Sequence, residues 1–206
     1  MEKRWLDKYK NGEIVPIGDT DCAPWTRGQR QGGNMNESVM NQNLFDFKKV
    51  MDKYDIPFIF IFGSALGLMR EWHKPWAHLQ DTDVDIMCDS INHTRMKPVV
   101  KELEEMGFFV LDKNECPMHD HCFMRYGEKI ELWWFDETET DYYYSLRVWY
   151  PKHFFENPTK IRYKDQMWNV PNNVQEFLKI TYGKDWKLPN PSGSYILLKK
   201  SQIRRR

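Results

Sequence analysis

Apolar residues along this chain fall into one unbroken run and two periods. Over residues 38–54 they recur at helical spacing, at Leu44, Phe47, Val50, Met51 and Tyr54, and Asp55-Ile56-Pro57 stops the helix. The unbroken run, residues 57–62, has the composition of a strand buried on both faces. It leads into Gly63-Ser64, after which residues 64–71 read as a short helix whose N-terminus would present free amides to an anion. Residues 72–80 read as a loop. Beyond it the period drops to two. In Asp83-Val84-Asp85-Ile86 the acids share one face of a strand and the apolar residues share the other.

A helix is predicted over 98–106, with Pro98 in its tolerant first turn and Gly107 as its stop. Strands are predicted over 108–111, 122–126 and 130–135, the last two joined across Gly127-Glu128, and one more over 142–150. Residues 151–171 read as irregular with short extended pieces. A last helix starts at Asn173, with Glu176 placed for a capping box, and runs through Phe177, Leu178 and Tyr182 to Gly183. No internal repeat is present. The pattern predicts an irregular N-terminal arm over 1–35, one α/β (α+β) domain over 36–189 and a basic tail over 190–206.

Composition narrows the partners. Thirty basic and thirty acidic residues cancel, so no global field recruits nucleic acid or an anionic membrane. No stretch approaches membrane-spanning length, and the first residues carry no apolar signal region. Cys22, Cys88, Cys116 and Cys122 show neither metal-finger nor redox-pair spacing, which favours a reduced compartment. Asn36-Glu37-Ser38 and Asn92-His93-Thr94 match a glycosylation sequon that such a compartment leaves unused. The expectation is a soluble, cytoplasmic protein with no membrane span and no nucleic-acid partner.

The chemistry concentrates in the acidic strand. Asp81, Asp83 and Asp85 are not an EF-hand loop, because Ile86 and Asn92 stand where that loop needs Gly and Glu. Aspartates side by side beside Val84, Ile86 and Met87 would be costly to bury without a cation. Oxygen-only ligands select a hard ion, Mg²⁺ or Mn²⁺. Glu131, alone in the apolar run from Ile130 to Phe135, reads as a third carboxylate, either metal ligand or general base, or else as an edge position. Arg70 is placed to meet a phosphate or to be plain solvated surface. Cys116, His119, His121 and Cys122 suggest zinc only weakly, since His121 and Cys122 point to opposite faces of a strand. Trp133, Trp134, Tyr142, Tyr143, Tyr144, Trp149 and Tyr150 are core by default, with some members available to stack on a sugar or base.

Taken together, these segments resemble the LicD family of phosphotransferases, which includes the fukutin-related proteins and belongs to the nucleotidyltransferase superfamily. The family's Gly-Thr/Ser-Leu-Leu-Gly-x-x-Arg segment is similar to Gly63-Ser64-Ala65-Leu66-Gly67-Leu68-Met69-Arg70. Its Pro-Trp-Asp-x-Asp-Ile/Val-Asp-Ile segment is similar to Pro75-Trp76 and Asp81-Thr82-Asp83-Val84-Asp85-Ile86. Its Val-Asp-Leu-Trp strand resembles Ile130-Glu131-Leu132-Trp133. Its closing Val-Pro and Tyr-Gly-x-x-Trp resemble Val170-Pro171 and Tyr182-Gly183-Lys184-Asp185-Trp186. The matches keep family order across residues 57–189. Two departures stand out: Ala77-His78-Leu79-Gln80 separates Pro75-Trp76 from the acids, and Glu131 replaces the usual Asp.

The resemblance implies a nucleotidyltransferase-like core, a small mixed sheet flanked by helices. It implies transfer of a phospho-substituent, such as phosphocholine or a polyol phosphate, from a nucleotide-linked donor (a CDP-alcohol) to a hydroxyl of a glycan. In that scheme Asp83 and Asp85 hold Mg²⁺ on the donor diphosphate, and Gly63 and Ser64 bind phosphate oxygens. Arg70 neutralises charge, and Glu131 binds metal or deprotonates the acceptor. The alternatives are a nucleotidyltransferase using the same acids and a non-catalytic binding protein of the same fold.

Overall fold

The computed structural model describes residues 35–70, 73–76, 83–111, 121–145 and 148–188. The expected arm up to residue 34, residue 189, the expected tail over 190–206, and Asp81, Cys116 and His119 lie outside the described residues. Along the chain run α1 (Glu37–Lys53), β1 (Ile59–Phe60), α2 (Phe62–Met69), β2 (Asp83–Asp89), α3 (Met96–Glu105), β3 (Phe109–Leu111) and β4 (His121–Arg125). Then come β5 (Glu128–Glu137), β6 (Tyr142–Ser145), β7 (Val148–Pro151), β8 (Thr159–Tyr163), β9 (Gln166–Val170) and α4 (Val174–Tyr182). Seven strands form a mixed sheet ordered β1-β2-β5-β4-β3, with β6 pairing β5 and β7; β8 and β9 form a separate hairpin. Among the described residues, four α-helices with this sheet make the mixed α+β fold that the sequence predicts. No helix among the described residues is long and apolar enough to cross a membrane.

The chain forms two compact units, and strands β2 and β5 each contribute residues to both. In the first unit, α1 buries Met40, Leu44, Phe47, Val50 and Met51, the stripe that its period announces. Asn36 caps it by accepting from the Ser38 and Val39 amides at 3.2 Å each, while its own N–H donates to Glu128 Oε1 at 2.8 Å. At the other end, Ile56 N–H reaches Met51 C=O and Asp55 N–H reaches Asp52 C=O, with Asp55 left-handed at φ 51°. α3 ends in the same motif at Gly107, φ 90°, where the sequence places its stop. The β4–β5 connection turns at Tyr126 and Gly127, both with positive φ (55° and 80°), the type I′ geometry that suits a two-residue hairpin. Arg125 beside that turn is buried and fully engaged, donating to Asn43 Oδ1 at 2.7 Å and to Asp46 Oδ2 at 2.5 Å.

The second unit has an aromatic core. Phe60 stacks on Trp168 with centroids 5.0 Å apart, and Tyr150 packs on Phe177 at 4.9 Å. Tyr150 is fully buried, with its hydroxyl on Thr181 Oγ1 at 2.9 Å, and burial pushes that phenol's pKa up. This sorts the aromatic residues that sequence left undivided. Tyr150 and Tyr143 are core, whereas Tyr144 and Trp149 form a half-buried cross-strand pair at 4.7 Å.

Several boundaries differ from expectation, each for a physical reason. Residues 142–150 are not one strand but the hairpin arms β6 and β7, paired from Tyr142↔Pro151 to Ser145↔Val148. Residues 151–171 contain the regular hairpin β8–β9, whose inward positions Tyr163, Trp168 and Val170 are buried while intervening residues face out. The α4 start lacks the capping box: Asn173 is left-handed at φ 47°, and its side-chain amide donates to Glu176 Oε2 at 2.6 Å instead of capping a backbone amide. Cys122 is disulfide-bonded, which corrects the reading of reduced thiols and removes its sulfur from any zinc site. The β1 ladder is only two residues long, because α2 begins at Phe62 rather than Ser64.

Gly67 shows how tightly α2 is covered. A Cβ at this position would lie 2.0 Å from the carbonyl oxygen of Trp76 and 2.4 Å from that of Lys74, both backbone atoms. Gly67→Ala gains about 1 kcal/mol of helix propensity, yet overpacking against fixed backbone costs about 3 kcal/mol. Net destabilisation of about 2 kcal/mol is therefore expected in urea unfolding. Unchanged stability would mean that residues 74–76 do not cross α2 this closely.

Candidate active site

Of the residues singled out by sequence, Ser64 and Asp85 meet in the second unit, and Asp83 and Glu131 share a partner in the first. In the second unit the chain leaves β1 at Ile61, takes a left-handed turn at Phe62 (φ 45°) and enters α2. A non-glycine residue held there stores strain of about 1–3 kcal/mol, which persists where neighbours fix it. Phe62 is fixed by its ring, edge-on to Trp133 at 4.9 Å. The turn aims two groups at Asp85. The Asp85 N–H donates to Ser64 Oγ at 2.8 Å, and the Asp85 C=O accepts from Ile61 N–H at 3.2 Å. Both backbone groups of the acidic strand at this point are thus held by the Gly-Ser turn.

The carboxylate of Asp85 is held as well. Its Oδ1 accepts from the indole N–H of Trp133 at 2.9 Å. Sequence reasoning missed this contact, since the two residues are far apart along the chain. Ser64 is buried, and its own amide donates to Ile61 C=O at 3.0 Å, so it is not the free anion-facing amide expected from a helix starting at Ser64. Gly63 and Arg70 stand at opposite ends of α2, about 10 Å apart along the axis from the helical rise. Among the described residues, Arg70 Nη2 is buried with no hydrogen-bond partner, and so is Trp76 Nε1. A buried donor without an acceptor costs about 1–3 kcal/mol, so both groups are suited to an acceptor brought by a ligand.

In the first unit, Lys129 joins the two remaining acids. Its ammonium donates to Glu131 Oε1 and lies 3.3 Å from Asp83 Oδ2. Lys129 and Glu131 are two residues apart on β5, hence on one face, and the Lys129 side chain is only 8% exposed. Burial alone would lower the Lys129 pKa, but the charges of Glu131 and Asp83 outweigh it and hold the pKa above the usual lysine value. Glu131 is therefore not an isolated buried acid, as the run from Ile130 to Phe135 suggests on paper. Its partner stands just outside that run, and the Lys-x-Glu spacing was the signal available.

Among the described residues no group of three or more His, Cys, Asp or Glu side chains stands ready for a metal ion. The donor set still fits the hard cation expected from sequence. Asp83 in the first unit and Asp85 in the second each offer carboxylate oxygens, and Mg²⁺ is ordinarily held by one or two carboxylates plus substrate phosphates. The ammonium of Lys129 against Asp83 marks that position as one that takes positive charge. No protein-family model matches this chain, and none of the curated proteins matches it.

The Ser64 contact gives a test of this geometry. Ser64→Ala leaves the buried Asp85 N–H without an acceptor, at an expected cost of about 1–3 kcal/mol, read as a lower thermal midpoint. A variant as stable as the parent would show that the Asp85 amide does not depend on that hydroxyl.

Proposed function

We propose that this protein is a metal-dependent phosphotransferase of the LicD type, moving a phospho-substituent from a CDP-linked donor to a hydroxyl of a glycan. The observation that carries the reading is the hydrogen bond from Asp85 N–H to Ser64 Oγ, which ties the Gly-Ser helix to the strand of paired aspartates. The family resemblance gives both segments a role at the donor diphosphate, and the contact joins them physically.

In this reading Asp83 and Asp85 hold a divalent cation, which when bound neutralises charge developing on the diphosphate. The chain's own groups prepare that pair. Ser64 and Ile61 fix the Asp85 backbone, and Trp133 fixes the orientation of its carboxylate. Gly63 would bind donor phosphate, while Ser64, buried against Asp85, holds the strand beside it, and the Nη2 of Arg70, without a partner among the described residues, would take an anionic oxygen. Glu131, oriented by Lys129, accepts the proton of the attacking hydroxyl or completes the metal site. Nucleotidyl transfer with the same acids gives a different labelled product from the same donor, so product analysis separates it.

One observation favours a second reading, a binding protein of this fold without catalysis. Lys129 already supplies a protein cation to Asp83 and to the buried Glu131, so these acids are not left without a countercharge when no metal is bound. Turnover of CDP-choline, CDP-ribitol or CDP-glycerol that depends on Mg²⁺ decides between the two. Asp83→Asn and Asp85→Asn are each expected to abolish it with the fold retained; near-normal turnover by either at saturating Mg²⁺ removes the metal pair. Glu131→Gln is expected to slow single-turnover transfer by roughly 10²–10⁴-fold if Glu131 is the base, with Mg²⁺ affinity kept.

A further inference from the structure

The ammonium of Lys129 stands where a cation serving Asp83 would stand. It contacts Asp83 Oδ2 at 3.3 Å and donates to Glu131 Oε1, from a side chain that is almost completely buried. A surface lysine pairs loosely and leaves again; this one is confined by β5, with Glu131 two residues along the same face. One positive charge thus offsets part of the charge of two acids, the half-buried Asp83 and the buried Glu131, and Lys129 lies outside the Ile130-Glu131-Leu132-Trp133 segment that the family resemblance uses.

We infer that Lys129 is the resident counter-ion of the acidic strand and competes with a divalent cation for Asp83. The inference rests on the metal-dependent reading above and deepens it by naming the group that metal entry must displace. Asp83 has only two carboxylate oxygens, and one already faces the ammonium. A divalent ion binding Asp83 would sit near a positive charge held by a side chain that is only 8% exposed, where repulsion is strong. On this inference a metal would bind Asp83 weakly while the ammonium stays and tightly once it gives up Asp83. Glu131 remains on the same strand to keep Lys129 paired once it does.

The experiment is Mn²⁺ binding to the full chain without donor, followed through the electron paramagnetic resonance signal of free Mn²⁺. The parent is compared with Lys129→Met, Lys129→Arg, Asp83→Asn and the double variant Lys129→Met/Glu131→Gln. The double variant removes the acid that the first substitution leaves unpaired, so that a folded protein lacking the ammonium is obtained. Lys129→Met, or the double variant, is expected to bind Mn²⁺ at least about tenfold more tightly than the parent, and Lys129→Arg to remain weak. A lysine with a purely structural role would leave the affinity unchanged or lower it. Equal or weaker Mn²⁺ binding without the ammonium, with binding lost in Asp83→Asn, overturns the competition and leaves the metal site standing. No Mn²⁺ binding in any variant overturns both the competition and the metal-dependent reading.

Discussion

The backbone of Asp85 is the fixed point of this molecule. Its N–H and C=O are both taken by the turn that follows β1, through Ser64 Oγ and Ile61 N–H. A buried amide left unpaired costs more than most single contacts return, so this requirement fixes neighbouring choices. It places Ser64 inside the first turn of α2, and the chain reaches that turn through a left-handed Phe62. The Phe62 ring then lies against Trp133, whose indole N–H goes to the Asp85 carboxylate. Strained backbone, buried hydroxyl and oriented acid form one chain of cause, beginning from a single amide.

Charge in the first unit is arranged by the same economy of pairing. Lys129 serves two acids, Arg125 serves Asp46 and Asn43, and Glu102 accepts from both Lys53 and the Tyr54 hydroxyl. These pairs differ in what they contribute. The exposed Lys53–Glu102 contact adds little, because water and salt screen it. The buried ones are costly to break, since removing one partner strands the other in a poorly solvated place. Arg125 is satisfied by atoms of α1 and by Met106 C=O, which makes it a structural arginine. Lys129 differs because both of its partners are the acids that sequence places in the chemistry.

Much of the fold was legible because its signals are local. The α1 stripe from Leu44 to Tyr54 and the left-handed stops at Asp55 and Gly107 act within a few residues, and the helix ends fall within about two residues of their expected places. The β6–β7 hairpin was read as one strand because no Gly, Pro, Asn or Asp interrupts residues 142–150 to announce its turn. The β8–β9 hairpin was hidden by Lys160, Arg162, Lys164 and Asp165, which occupy outward positions and dilute the alternation of Tyr163, Trp168 and Val170. In the candidate site, the strand positions of Asp83, Asp85 and Glu131 are readable from spacing. Their partners were less so. The Trp133 indole meets Asp85 from 48 residues away, and no local rule connects them. Lys129 was within reach of the two-residue period but lay one position outside the run that drew notice.

The type I′ turn at Tyr126 and Gly127 bears on how the chain folds as well as on its final form. Hairpins closed by two residues assemble in microseconds, long before distant strands find each other. β5 leaves that turn with Lys129 and Glu131 already side by side. The acid therefore enters the growing core with its countercharge attached, at almost no loop-closure cost. A nascent chain need not wait for an ion from solution before burying this strand. Burial of this acid is thereby uncoupled from any supply of cation from solution.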